Sequence, residues 1–296
     1  MLDVIIAGGG IAGLSAALIL GRCRRQVILC DTGRPRNMAS QALHGFLSRD
    51  GISPLELRQI GYEQLQNYPS VTCRMSEVVD AEETANGYEV RLENGERLQA
   101  RYLLLATGIV DALPPVPGIE AFYGRSVFHC PYCDGWENRD KALAVYGGGA
   151  GGYDFALELL GWSKDLVLCT NGEANLDKEQ QAKLQRNGVR VVDGRIARLA
   201  GTDGRLERIE LDDGTTIPRQ ALFFSPDQGQ ASLLAEKLGC SIAGGVVKTA
   251  KFQQVHPRLF VAGDAARSVQ LAIVEAAEGA EAAFAINTAL LKEGLL

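Results

Sequence analysis

The 296-residue sequence has no apolar run of the roughly 18 residues that a helix needs to cross a bilayer, and no signal-peptide pattern opens it. It also lacks a block of lysine and arginine. Thirty basic residues against 36 acidic ones leave a net charge of −6, which makes a dedicated nucleic-acid binder a poor interpretation. We therefore expect a cytoplasmic protein without a transmembrane segment, while peripheral membrane contact stays open. Its apolar fraction of 46% excludes a disordered or fibrous chain and favours about two globular domains.

The cysteines lack the even number and regular spacing of a secreted disulfide framework. The seven are Cys23, Cys30, Cys73, Cys130, Cys133, Cys169 and Cys240. Five lie in apolar or helical contexts and are predicted to be small core residues, whereas Cys130 and Cys133 form a C-x-x-C. A tetrahedral zinc site lacks ligands, since no second C-x-x-C occurs and His129 is directly adjacent, so we expect no metal. Two interpretations of Cys130 and Cys133 stay open, namely two buried thiols or a redox-active pair. The nucleotide-binding motifs favour the redox-active pair.

A glycine-rich turn near the start of the chain has the spacing of a dinucleotide-binding fingerprint. Gly8, Gly10 and Gly13 form a G-x-G-x-x-G that follows a predicted strand and opens a predicted helix. The first glycine permits a tight turn, the second lets the backbone approach a pyrophosphate, and the third lets helix and strand pack closely. Asp31 ends the second predicted strand, where an acid suits the hydroxyls of an unphosphorylated adenosine ribose. The alternative is a glycine-rich turn without a ligand.

The pattern of strand, glycine turn, helix and strand occurs twice. It returns at residues 142–169 after a proline-rich linker, and each copy is followed by hairpin strands. We predict an α/β fold with two doubly wound, Rossmann-like dinucleotide-binding domains, each with a β-meander, the second inserted in the first. The expected boundaries are 1–115 with 242–296 for the first domain and 116–241 for the second. With these boundaries the chain crosses between the two domains twice, and two crossings of this kind would allow rigid-body rotation of the second domain.

Four motifs together connect the sequence to a known family. In order, they are the first glycine turn, Ala106-Thr107-Gly108, the Cys-x-x-Cys-Asp-Gly segment that begins at Cys130, and Ala262-Gly263-Asp264. Over its whole length the chain resembles the low-molecular-weight thioredoxin reductases, which are class II pyridine nucleotide-disulfide oxidoreductases. The sequence around the two cysteines, together with the upstream segment 44–51, resembles one branch of this family more than the ordinary thioredoxin reductases. That branch contains FAD-dependent dithiol oxidases and thioredoxin reductase-like enzymes that lack the NADPH motif.

This resemblance implies a cofactor, catalytic residues and partners. It implies FAD in the first domain, with the adenosine at Asp31 and the ribityl chain near Asp264. The implied cofactor-binding residues are Gly8, Gly10, Gly13, Asp31, Gly108, Gly263, Asp264, Gln270, Leu271 and Ala272. By the family pattern Cys133 faces the flavin, Cys130 exchanges with the substrate thiol, and Asp134 moves the proton. A homodimer and a thioredoxin-like protein or small dithiol as partner are also implied.

The second glycine turn departs from the family. In thioredoxin reductases this loop, here Gly147, Gly149 and Gly152, binds NADPH, and a basic cluster after the next strand holds the 2′-phosphate. Here residues 169–172 supply neither arginine nor lysine to pair with a phosphate. Three interpretations of this loop stay open. It is vestigial and binds no nucleotide, it binds another nucleotide such as a second FAD, or it binds NADP(H) through other residues.

The sequence favours an FAD-dependent disulfide/dithiol oxidoreductase that is not driven by NADPH and that can work as a dithiol oxidase. The first alternative is an ordinary NADPH-dependent thioredoxin reductase. The alternative from another class is a non-enzymatic flavin or nucleotide redox sensor that kept the fold.

Overall fold

The computed structural model describes residues 1–294, which form two compact units. Unit 1 contains residues 1–38, 45–111 and those from 228 onward, and unit 2 contains residues 39–44 and 112–227. Apart from the short excursion of residues 39–44 into unit 2, the chain crosses between the units twice, and the first of these two crossings, at 111/112, lies near the expected one. The second lies at 227/228 rather than at 241/242, because Leu234, Ala235 and Cys240 are buried in the core of unit 1.

The elements alternate as an α/β protein requires. The first stretch comprises β1 (Leu2–Ala7), α1 (Ile11–Arg22), β2 (Val27–Asp31), α2 (Pro54–Leu65), β3 (Val71–Met75), β4 (Val78–Thr84), β5 (Gly87–Leu92), β6 (Arg97–Leu105) and β7 (Ile109–Ala112). The middle stretch comprises α3 (Ile119–Phe122), β8 (Val127–Phe128), α4 (Pro131–Asp134), β9 (Leu143–Tyr146), α5 (Gly149–Leu159), β10 (Leu166–Cys169), α6 (Lys178–Arg186), β11 (Arg190–Val192), β12 (Ile196–Thr202), β13 (Arg205–Leu211), β14 (Thr216–Pro218) and β15 (Ala221–Phe224). The last stretch comprises β16 (Asp227–Gln230), α7 (Leu234–Lys237), β17 (Ile242–Ala243), β18 (Val246–Val247), β19 (Gln254–His256), β20 (Leu259–Val261) and α8 (Ala272–Glu293).

The sheet of unit 1 is built around β1. Ile5 of β1 pairs in parallel register with Ile28 of β2 on one side and with Leu103 of β6 on the other. β3 extends the sheet beyond β2, and β20 extends it beyond β6, so the last part of the chain completes the sheet that the first part begins. β4, β5 and β6 form an antiparallel meander. This is the doubly wound topology with a meander that the sequence predicts.

Both faces of this parallel sheet are covered, since successive side chains of a strand point to opposite faces. Ile6 is fully buried on the face that packs against α1 and α8, together with Ile286 of α8. Ile5 is fully buried on the other face, together with Leu234 of α7. The described residues contain no helix that is both long and apolar enough to cross a membrane.

Unit 2 repeats the plan of unit 1. Val145 of the central strand β9 pairs in parallel register with Leu168 of β10 and with Phe223 of β15. The five strands follow the order β11-β10-β9-β15-β8, and β12 to β14 form a separate antiparallel meander. Leu159 of α5 is fully buried against this sheet in the same core cluster as Val145 and Phe223. Two Rossmann-like units with a meander in each are therefore confirmed.

Two of the five cysteines predicted to be core residues are not in the core, since Cys73 is exposed and Cys23 is half-buried. Residues 71–84 form two strands, because β3 pairs in parallel with β2 while β4 turns to pair antiparallel with β5. Gly244 and Gly245 do not mark a crossing between the domains. Both have positive φ angles, 61° and 79°, and they form the tight turn of the hairpin that joins β17 and β18.

Candidate active site

The first glycine turn combines tight packing with one open side. Gly8 follows β1 with a φ of 113°, and a Cβ on it would lie 2.1 Å from the carbonyl oxygen of Ala106. A Cβ on Gly13 would lie 1.9 Å from the carbonyl oxygen of Gly8, so α1 approaches β1 as closely as only glycine allows. Gly10, the N-cap of α1, has open space where a Cβ would point. The N-terminus of this 12-residue helix is therefore accessible to an anionic group.

Asp31 lies beside this turn at the end of β2 and is buried. Its Oδ1 accepts a hydrogen bond from the Gly9 amide at 3.2 Å, and its Oδ2 accepts one from the Tyr62 hydroxyl at 2.6 Å and pairs with Arg58. Burial and the charge of Asp31 raise the pKa of Tyr62, so the hydroxyl keeps its proton and remains a donor. Arg58 and Tyr62 were missed by the sequence analysis, although their spacing of four residues places them on one face of α2.

Asp264 lies in a single 3-10 turn that follows β20, and it is also buried. Its Oδ2 accepts a hydrogen bond from Nη1 of Arg36 at 2.8 Å. Its Oδ1 is buried and accepts no hydrogen bond within the described part of the chain. Glu275 of α8 faces the same carboxylate, and burial together with the charge of Asp264 raises the pKa of Glu275 well above its usual range. Oδ1 is thus an acceptor available to a ligand hydroxyl or to the proton of a neutral Glu275.

The other predicted cofactor residues occupy the same unit. Gly108 follows β6 with a φ of 70°, and its carbonyl oxygen accepts a hydrogen bond from the Ala231 amide at 3.1 Å. Leu271 is the N-cap of α8, and Gln270 and Ala272 flank it. Gly263 begins the turn that contains Asp264. All ten predicted residues therefore belong to unit 1.

The predicted redox pair lies in unit 2, at the short helix α4. Cys130 and Cys133 form a disulfide, with their Cα atoms 5.3 Å apart. Pro131 occupies the first helical position, where its fixed φ favours the helix and its missing N–H costs no hydrogen bond. The Cys133 amide donates to the sulfur of Cys130 at 3.1 Å. Tyr132, between the two cysteines, is 69% exposed, so the segment has an accessible side.

Asp134 is the last residue of α4 and is held in a poorly hydrated environment. Burial raises its pKa from 3.8 to about 7, the nearby charge of His44 opposes the rise, and Glu137 adds to it. Nε2 of His44 lies 3.6 Å from Oε1 of Glu137. A carboxyl with a pKa near neutrality can both accept and donate a proton at physiological pH, as an acid–base residue beside a disulfide must. The sequence pointed to Asp134 but assigned no role to His44 or Glu137.

The second glycine turn repeats the packing of the first. Gly147 follows β9 with a φ of 146°, and a Cβ on Gly152 would lie 2.3 Å from the carbonyl oxygen of Gly147. The Gly147 amide donates to the carbonyl of Cys169 at 3.1 Å, as the Gly8 amide donates to Cys30 at 2.8 Å in unit 1. Both turns therefore share the first glycine's left-handed backbone and the close approach at the third glycine, but their middle glycines differ, since Gly10 has a φ of −71° and Gly149 a φ of 60°.

The two turns differ in what covers them. The amide of Gly149, the counterpart of Gly10, donates to the carbonyl oxygen of Ala174 at 2.8 Å. A Cβ on Gly148 would lie 3.5 Å from that oxygen and 3.6 Å from the carbonyl oxygen of Glu173. In unit 2 the carbonyl of Ala174 thus occupies the Gly149 amide, and the carbonyl oxygen of Asn175 lies 4.0 Å from the Cβ position of Gly149, whereas the Cβ position of Gly10 in unit 1 has nothing within 4 Å. We call residues 173–175 the loop cap. Carbonyl oxygens and phosphate oxygens both carry negative partial charge, so the loop cap opposes a pyrophosphate there.

Comparisons with known proteins found similarity over nearly the whole chain. A family model described as pyridine nucleotide-disulphide oxidoreductase matches residues 2–279. Thioredoxin reductase tcpT of Claviceps purpurea is 32% identical over 277 residues, which cover 89% of this chain and 86% of that protein. The solved structure of a thioredoxin reductase TrxB, described as putative, from Bacillus anthracis superposes with a TM-score of 0.94 at 33% identity and covers 99% of both chains. An oxidoreductase from Agrobacterium tumefaciens superposes with a TM-score of 0.92 at 35% identity and covers 98% of both.

Proposed function

Because this chain belongs to the pyridine nucleotide-disulphide oxidoreductase family, as a thioredoxin reductase-like flavin oxidoreductase, we propose that it passes electrons between the Cys130–Cys133 disulfide and FAD. We further propose that a dithiol, and not NADPH, is the electron donor. The enzyme then works as a dithiol oxidase, with an acceptor such as oxygen removing the electrons from the flavin.

The residues of unit 1 fit FAD. The open side of Gly10 at the N-terminus of α1 suits the pyrophosphate, and the orphan Oδ1 of Asp264 suits a hydroxyl of the ribityl chain. Asp31 keeps one acceptor position on Oδ1 for the adenosine ribose, since that oxygen accepts only from the Gly9 amide among its hydrogen bonds given by the structure. Bound FAD would supply a two-electron acceptor for this chain's own thiol chemistry.

The unit 2 residues then perform the thiol exchange. A thiolate of the substrate attacks the sulfur of Cys130, which forms a mixed disulfide and releases Cys133 as a thiolate. The second thiol of the substrate attacks its own disulfide-bonded sulfur, which closes the substrate disulfide and releases Cys130. Asp134 accepts the proton of an attacking thiol and returns it to the sulfur of Cys130. The disulfide forms again when Cys130 loses this proton and bonds to Cys133, and the electron pair that the two sulfurs give up would be accepted by bound FAD.

The observation that carries the choice of donor is the hydrogen bond from the Gly149 amide to the Ala174 carbonyl. NADPH would need this amide for its pyrophosphate, and residues 169–172 provide no cation for its 2′-phosphate. We therefore favour a second glycine turn that binds no nucleotide over one that binds a second FAD or NADP(H).

The test is to mix the oxidised holoenzyme anaerobically with NADPH, NADH or a dithiol and to record the flavin absorbance. We expect rapid bleaching by the dithiol and little by either nicotinamide. Fast bleaching by micromolar NADPH would instead identify an ordinary NADPH-dependent thioredoxin reductase. Cys130→Ser serves as the control. If dithiol turnover is undetectable in the unmodified protein as well as in Cys130→Ser, the protein is a redox sensor.

We also propose that the protein is a cytoplasmic homodimer whose thiol partner is a thioredoxin-like protein or a small dithiol. Ile273, Phe284 and Leu291 on α8 are 39%, 59% and 53% exposed, which supports an association surface on unit 1. Light scattering of the purified holoenzyme should give twice the mass of the chain. A monomer at micromolar concentration would contradict this proposal.

A further inference from the structure

A polar cluster of unit 1 connects the cofactor site to both chain crossings. Its members, which we call the Arg36 cluster, are Arg36, Asp111, Gln228, Asp264 and Gln270. The side chains of Arg36, Asp111 and Asp264 are only 16%, 4% and 10% exposed. The charges of this cluster are thus largely removed from water, where the geometry of each hydrogen bond matters most.

Arg36 binds two carboxylates at once. Its Nε and Nη2 donate to Oδ2 and Oδ1 of Asp111 at 2.6 and 2.7 Å, a bidentate pair. Its Nη1 donates to Oδ2 of Asp264 at 2.8 Å and to Oε1 of Gln270 at 2.8 Å. The guanidinium is planar and rigid, so the fork on Asp111 fixes the direction in which Nη1 holds Asp264. With Oδ2 held in this way, the buried Oδ1 is the oxygen that Asp264 presents to a ligand hydroxyl or, without a ligand, to the proton of a neutral Glu275.

The remaining members belong to the crossings. Asp111 is the last residue of unit 1 before the first crossing, and Gln228 is the first after the second crossing. Nε2 of Gln228 donates to Oδ1 of Asp111 at 2.9 Å and to Oε1 of Gln270 at 3.0 Å. Nε2 of Gln270 donates back to Oε1 of Gln228 at 2.9 Å. One set of hydrogen bonds therefore joins residues on both crossings to the carboxylate of Asp264.

The surrounding charges make Arg36 necessary. Glu275 and Glu278 of α8 lie near Asp264, and Glu278 is already bound by Arg267 and by the amide of Gly263 at 2.9 Å. Without Arg36, Asp111 and Asp264 would lose their shared guanidinium beside these acids. Removing one partner of a buried ion pair leaves an uncompensated charge, which a side chain relieves by turning away or by taking up a proton.

We propose that Arg36 is a positioning residue that aims Oδ1 of Asp264 at a ribityl hydroxyl of FAD and that couples FAD binding to the order of both crossings. This inference rests on the proposed flavin function. Bound FAD would fill the acceptor of Asp264, hold Arg36 in its fork, and so tighten the hydrogen bonds of Asp111 and Gln228. Loss of FAD would loosen the backbone at 109–112 and 227–230.

The test uses Arg36→Lys, which keeps the charge but loses the planar fork. Arg34→Gln is the matched control, since Arg34 is two residues away, is 74% exposed and pairs only at 3.5 Å with Glu77 among the contacts of the structure. FAD affinity is measured by flavin fluorescence, and the crossings are followed by hydrogen exchange of their backbone amides with and without FAD. We expect Arg36→Lys to weaken FAD binding by roughly 10- to 100-fold, as for a charge-assisted hydrogen bond. It should also remove the FAD-dependent protection of both crossings, while Arg34→Gln behaves as the unmodified protein.

A second variant, Gln228→Ala, cuts the link to the second crossing but leaves the pair of Arg36 and Asp264. It should lose the FAD-dependent protection at 227–230 and weaken FAD binding less than Arg36→Lys does. Unchanged FAD affinity in Arg36→Lys, or unchanged protection in Gln228→Ala, would overturn the proposal. If Arg36→Lys does not fold, the exchange pattern of Gln228→Ala decides alone. Absence of dithiol turnover in the unmodified enzyme would refute the proposed function but not this coupling, since both readouts need only bound FAD.

Discussion

Replacing Asp134 by asparagine should change the pH dependence of stability in a predictable direction. The folded protein raises the pKa of this carboxyl from 3.8 to about 7, mainly by burial, so it favours the neutral form. Between these pH values the folded state binds more protons at Asp134 than the unfolded state does, so stability falls as the pH rises. Each pKa unit corresponds to about 1.4 kcal/mol, which gives a loss of about 4 kcal/mol between about pH 4 and pH 8. Asp134→Asn cannot ionise and escapes this loss.

The assay compares urea unfolding midpoints of the oxidised holoenzyme and of Asp134→Asn across this pH range at constant ionic strength. The difference in stability between the two proteins should be smallest near pH 4 and should grow in favour of the variant up to about pH 8. The matched control is Glu137→Gln. It removes a charge that raises the pKa of Asp134 in the folded state, so the stability loss of Glu137→Gln should end at a lower pH and be smaller than that of the unmodified protein. A difference that does not vary with pH would refute a raised pKa at Asp134.

Three further outcomes are expected. Asp134→Asn should slow dithiol oxidation by about 10²- to 10⁴-fold in stopped-flow assays and abolish a rate inflection near pH 7, whereas an unchanged profile would exclude Asp134 as the acid–base residue. Gly10→Ala should weaken FAD binding in a fluorescence titration with little loss of stability. Gly13→Ala should destabilise the fold itself, because its Cβ would lie 1.9 Å from a carbonyl oxygen. Equal melting temperatures of the two variants would contradict this contrast. The unmodified protein should lose stability as the pH rises above the ordinary pKa range of a glutamate, and Glu275→Gln should remove this loss. Thermal unfolding at several pH values measures it, and parallel profiles of melting temperature against pH for the two proteins would contradict the prediction.

The elements that the sequence predicted are those with a local signature. Each glycine turn lies between a buried strand and a helix, and each closing strand ends in an apolar run, so the two Rossmann-like units could be predicted from spacing. The crossing at 227/228 could not, because the pair Gly244-Gly245 has the same composition in a hairpin as in a linker. Whether Gly244-Gly245 lies in a hairpin or in a linker depends on the tertiary packing of the residues around it.

Within the candidate site, residues whose role depends on distant partners were missed. Arg36, Asp111 and Gln228 are far apart in sequence, and no period or motif connects them before the chain folds. The loop cap acts through the backbone carbonyl of Ala174, which any residue type would provide. The missing basic cluster suggested a changed nucleotide site, but only the folded backbone shows what lies over the turn.

The late position of β20 along the chain has a consequence for biosynthesis. Strands β1, β2, β3 and β6 leave the ribosome before unit 2, but β20, Asp264 and α8 follow it, so the flavin-binding unit cannot be completed until unit 2 has been made. Until then the edge of β6 that later pairs with Leu259 has no neighbour and offers a template for wrong pairing. Binding of the proposed FAD at Asp264 therefore has to wait until β20 and the turn that follows it have been synthesised. A chain that stops before residue 258 should keep an unpaired edge at β6.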